Sequence, residues 1–145
     1  MLKSIGGVVG GYLVMMLVAF AAYTAAYFGL GADRAFEPGT YALSGIWIGL
    51  VIAITLIAGL IGGLTSAAIS KSRTAGLVFA VIVFVLSFVF ELPNIMKEPV
   101  ARTGDVSNLD AMEKAQPPAW LCILNPFVGG AAVLMGTRMK KSPTV

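Results

Sequence analysis

Residues 58–90 read "AGLIGGLTSAAISKSRTAGLVFAVIVFVLSFVF", two apolar runs joined by the basic turn "KSRT" (71–74). Neither run contains an acid, and the turn supplies Lys71 and Arg73. The first run extends back to about Leu43 and the second continues to about Leu92. A helix needs roughly 20 residues, at about 1.5 Å each, to cross a hydrocarbon core about 30 Å thick. Both runs reach or approach that length, so the stretch reads as a helical hairpin in a bilayer, with spans at about 43–70 and 75–92. Two further stretches qualify, at about 4–30 and 119–136. The expectation is an all-α integral membrane protein: one domain, a four-helix transmembrane bundle with outer loops 31–42 and 93–118, a turn at 71–74 and a tail at 137–145.

Composition agrees. Hydrophobic residues make up 58% of the 145 and charged residues 12%, about half the charged share usual in a soluble domain. The first stretch also resembles a secretory signal, with Lys3, an apolar core and the small-residue site "AFA" (19–21). It stays apolar to Leu30, longer than a signal core, which favours a retained helix.

Charge sets the expected topology. Lys3, Lys71, Arg73, Arg138, Lys140 and Lys141 flank one side of the spans with no acid among them. The other side holds all seven acids, Asp33, Glu37, Glu91, Glu98, Asp105, Asp110 and Glu113, with Arg34, Lys97, Arg102 and Lys114. Basic short flanks stay on the cytoplasmic side, so both termini are expected there, in a bacterial inner membrane. The net charge of +3 belongs to these flanks. No aromatic-interleaved basic patch exists, so nucleic acid is not an expected partner.

Small residues concentrate in the same half of the spans. In lipid, where side-chain burial gives no hydrophobic gain, residues such as Gly spaced four apart let helix backbones approach closely. The candidates for such packing are Gly7 and Gly11 in the first span, Gly45, Gly49, Gly59 and Gly63 in the second, and Gly129 and Gly130 in the fourth. Ala53 continues the Gly45–Gly49 series. The third span, apolar all round and poor in small residues, is expected to face lipid most. Aromatic residues gather at the opposite, outer end, including Tyr23, Tyr27, Phe36, Tyr41, Trp47 and Trp120. An interfacial belt explains part of this, and a bundle tight inside and wide outside would explain the rest.

Within the fourth span, "WLCILNPFVGG" (120–130) carries a polar amide and a helix breaker. Pro126 removes a backbone hydrogen bond and is expected to kink the helix. Asn125 lies about 8 Å below Trp120, where it either satisfies a freed carbonyl or lines an outward pocket. Ser87 and Glu91, four apart on the third span, are the nearest polar candidates to share such a pocket. An acid at this depth often marks an ion or proton route, and it serves equally as an interfacial anchor. In the 93–118 loop, "SNLDAMEKAQPP" (107–118) predicts a short helix with Asp105 or Ser107 as N-cap and a narrow stripe of Val106, Leu109 and Met112. Such a helix is marginal alone and is expected to lie across the outer mouth of the bundle or to receive a partner.

Catalytic chemistry finds little support in the residues. There is no His, and the single cysteine, Cys122, reads as an apolar filler. No nucleotide loop, zinc motif or nucleophile elbow occurs, and no metal or cofactor is expected. The leading expectation is a non-catalytic accessory or scaffold subunit acting through helix packing and its outer loop. Its partners would be the lipid bilayer and a larger membrane protein or a second copy. The alternative is a small oligomeric channel or transporter with a path past Ser87, Glu91 and Asn125.

Overall fold

The computed structural model describes residues 2–98, 100–104 and 107–139. Four helices are long and apolar enough to cross a membrane: α1 (Leu2–Leu30), α3 (Gly45–Ser70), α4 (Arg73–Ile95) and α6 (Ala119–Met139). Two short helices lie in the connections, α2 (Ala32–Ala35) and α5 (Asn108–Glu113). The protein is an all-α membrane bundle. The α3–α4 hairpin is tighter than expected: Lys71 takes a left-handed conformation (φ 51°) and donates its N–H to the Ala67 carbonyl, and the Ser72 hydroxyl accepts from the Ala75 N–H. That leaves two residues outside the helices, so Arg73 and Thr74 belong to α4.

α3 is the central helix, packed on one side by α1 and on the other by α6. Its glycines divide between the two contacts. A methyl at Gly62 would lie 2.8 Å from Met15 Cβ and 2.9 Å from the Gly11 carbonyl. One at Gly11 would meet the Gly62 carbonyl and Ser66 Cβ at 2.8 Å, and one at Gly7 would meet Ser70 Cβ at 2.6 Å. On the other side, a methyl at Gly59 would lie 2.6 Å from Ala132 Cβ, one at Gly63 would run into the Val133 carbonyl, and one at Gly136 into that of Leu60. These contacts bring Leu2, the α3–α4 turn and Met139 to one end of the bundle, the termini end. Below them α4 inserts a narrow face of Ala75, Gly76, Phe79, Ala80 and Val83.

Three expectations need correction. A methyl at Gly45 or Gly49 meets nothing within 4 Å, because both are exposed in the loop-end half of α3. Gly129 and Gly130 have neighbours at 3.5–3.6 Å, ordinary contact rather than close approach. The tight positions on α4 and α6 are instead Gly76, against Thr137, and Gly136. The span most open to lipid is α1, whose buried residues are Gly7, Gly11 and Tyr27 alone; α4 buries five because its few small residues all fall on one face.

The opposite, loop end is built differently. Tyr27, Ala35, Phe36, Tyr41, Leu43, Trp47, Ala111 and Leu121 form a buried cluster. Its rings meet edge to face, Tyr27 with Trp47 at 5.6 Å and Phe36 with Tyr41 at 6.1 Å between centroids. These aromatics serve as core rather than as an interfacial belt, whereas Phe28, Phe90 and Trp120 remain exposed. The two loops are tied to each other above the cluster. Arg102 donates to Asp33 Oδ1 at 2.9 Å, and its backbone N–H donates to the Gly39 carbonyl. Gln116 donates its amide N–H to the Glu98 carbonyl and accepts from the Val100 N–H. The Ser107 hydroxyl caps α5 by accepting from the Asp110 N–H, and Ala111 seats that helix on the cluster. The expected Val106, Leu109 and Met112 stripe, the Asp105 cap and the Lys140–Lys141 tail lie outside the described residues.

The glycine contacts predict a sharp asymmetry between positions of equal composition. Gly63→Ala should destabilise the bundle by more than about 2 kcal/mol, through overpacking against backbone that cannot retreat. Gly129→Ala should be neutral within about 0.5 kcal/mol. Thermal unfolding of both variants in the same detergent checks the difference.

Candidate functional site: the loop-end cleft

The termini end is closed by backbone contact and the loop end is packed with rings, and beside those rings the helices leave an open cleft. Its volume is about 520 Å³. α1 contributes Tyr23, α3 Trp47 and Val51, α4 Glu91 and Asn94, and α6 Leu121 and Asn125; the loops add Leu43, Lys97, Glu113, Ala115 and Pro117. Trp47 is fixed at the first turn of α3, where the Ser44 hydroxyl accepts its N–H at 3.2 Å and donates to the Arg34 carbonyl at 2.6 Å. Tyr23 reaches across to α3, its hydroxyl 3.4 Å from both Thr55 Oγ1 and the Val51 carbonyl.

Glu91 is held within its own helix. Asn94, three residues on, donates from Nδ2 to Glu91 Oε2 at 3.0 Å. The buried thiol of Cys122 lies beside the same carboxylate and is 3.9 Å from the Pro117 carbonyl. Asn125 occupies the cleft wall on α6, and its Oδ1 is buried without a hydrogen-bond partner among the described residues. Pro126 follows it, buried, within an uninterrupted helix. An unpaired amide oxygen in a low-dielectric setting is costly, and this one is enclosed by the protein rather than open to the cleft.

Of the three residues expected to share a pocket, Glu91 and Asn125 line one cleft, and half-buried Ser87 does not. Beyond Asn125 towards the termini end, the interior is filled by Val83, Phe79, Ala132 and Val133, all buried. Sequence reasoning named Lys97 as a possible partner of Glu91 and missed Tyr23, Trp47, Asn94 and Glu113 as its neighbours. The i, i+3 relation of Glu91 and Asn94 was a readable signal; the others depend on how the loops fold back. Among the described residues no group of three His, Cys, Asp or Glu is placed to hold a metal ion. No family model matches the chain, and no curated protein or solved structure matches it either.

Gln116 fixes the segment 115–117 that forms one wall of the cleft. Gln116→Ala removes two hydrogen bonds, each contributing about 1 kcal/mol. Amide exchange at Val100 and Arg102 should accelerate about tenfold or more, with α3 unchanged, as measured by hydrogen exchange in lipid discs.

Proposed function

We propose that this small membrane protein is a non-catalytic accessory or scaffold subunit that associates with another membrane protein through the outward face of α3. The observation that carries the reading is the series Gly45, Gly49 and Ala53. These residues are exposed, and the two glycines have nothing within 4 Å of where a side chain would begin. At 100° per residue the series lies opposite the inward face of Trp47, Val51, Ile54 and Ala58. Small residues four apart suit the backbone approach of another helix, and the described residues supply none there. The filled interior between Asn125 and the termini end supports association over conduction. The basic, acid-free flanks of the termini end support a cytoplasmic orientation of both ends, in a bacterial inner membrane.

One observation favours the second reading, a small oligomeric channel or transporter: Glu91 and Asn125 do share one cleft. Its path would have to run between copies, since the single bundle is filled beneath the cleft.

The two readings part on the mass of the intact particle after gentle extraction from the native membrane into lipid discs. The subunit reading expects a stoichiometric complex with a larger protein, and Gly49→Leu should release it. A Cβ at this position has nothing within 4 Å among the described residues, so the circular dichroism and thermal stability of the released bundle should match wild type. A bare homo-oligomer would overturn the subunit reading in favour of transport, and a bare monomer would overturn both.

A further inference from the structure

Independently of any protein partner, we infer that the loop-end cleft binds an organic ammonium ion carrying an apolar body. The deep charge of the cleft is the half-buried Glu91, held in place by Asn94 at 3.0 Å. Lys97 and Glu113 sit at the exposed rim with opposite signs, which leaves the lining with one net negative charge. Tyr23 and Trp47 line the cleft side by side, their ring centroids 6.4 Å apart and planes tilted by 42°. A cation near two such rings is attracted by both quadrupoles, and a carboxylate beside them adds a charge pair. Asn125 adds a polar side chain to the α6 wall. Val51, Leu121 and Pro117 complete an apolar surface for the rest of the molecule. Polar groups and apolar side chains share the lining of this concavity, whose size is within the usual range of a small-molecule site. An anion would meet Glu91 and the π faces, and an uncharged apolar ligand would leave the carboxylate desolvated and unpaired.

The same chemistry is offered by a free amine and by the ammonium headgroup of phosphatidylethanolamine, and the test separates them. The protein, with Trp120→Phe so that Trp47 is the remaining tryptophan, is placed in phosphatidylglycerol discs and titrated with 4-phenylbutylamine at neutral pH, following Trp47 emission. A saturable change is expected. Glu91→Gln, which keeps an acceptor for Asn94, should weaken binding about tenfold, and Glu113→Gln at the rim by less than about threefold. The uncharged 4-phenylbutan-1-ol should bind at least about tenfold more weakly than the amine. Absence of saturation, equal binding of the alcohol, or an affinity unchanged by Glu91→Gln would overturn the inference; the alcohol comparison uses the Glu91 protein alone and stands if the variant fails to fold. With the site established, weaker amine binding after phosphatidylethanolamine is added to the discs assigns it to the lipid headgroup. Unchanged affinity assigns it to a free amine.

Discussion

Everything in this bundle depends on how closely α3 can approach its two neighbours at the termini end. In a bilayer, lipid chains solvate Leu and Val as well as another helix does, so side-chain burial gives little reason to associate. What remains is van der Waals contact, and it is greatest where no side chain intervenes. α3 meets that condition on two sides at once, with Gly62 facing α1 and Gly59 and Gly63 facing α6. Its neighbours answer with Gly7, Gly11 and Gly136. Once these backbones touch, α4 has one remaining groove, and its small residues Ala75, Gly76 and Ala80 enter it beside Phe79 and Val83.

The loop end follows from the same constraint by contrast. Tyr27, Phe36, Tyr41 and Trp47 are too large for backbone contact, and they form the core at that end themselves. The two loops can then fold back onto an apolar surface, and polar ties such as Arg102 to Asp33 fix them to each other. The cleft is the space left between a glycine-closed end and a ring-filled end. Its polar residues, Glu91, Asn94 and Asn125, sit at that level because below it the closed interior has no room for them.

Much of this was legible in the sequence. Span number and approximate limits follow from apolar length, and the closeness of Gly7, Gly11, Gly59 and Gly63 is consistent with their four-residue spacing. The same spacing misled at Gly45 and Gly49, because periodicity finds a face without saying what it faces. It also hid Gly62 and Gly76, which stand beside rather than within the obvious series. The third span looked uniformly apolar, yet the burial of Phe79 and Val83 depends on partners that a single segment does not reveal. The pairing of Glu91 with Asn125 was readable from depth, since both fall in the outer third of their spans, Glu91 four residues from the end of α4 and Asn125 six residues into α6. Trp47, Tyr23 and Glu113 were not readable there, because their position is set by long-range contacts across the loops.

The most direct test of the account is the contact between Gly63 and Val133 in a lipid bilayer. Solid-state NMR on protein carrying a ¹³Cα label at Gly63 and a ¹³C carbonyl label at Val133 reads that separation without altering either residue. The account predicts strong direct dipolar transfer between the two carbons, as backbone contact requires. Absence of transfer, with α3 and α6 held apart by intervening side chains, would contradict it and remove the physical basis for both the closed end and the cleft.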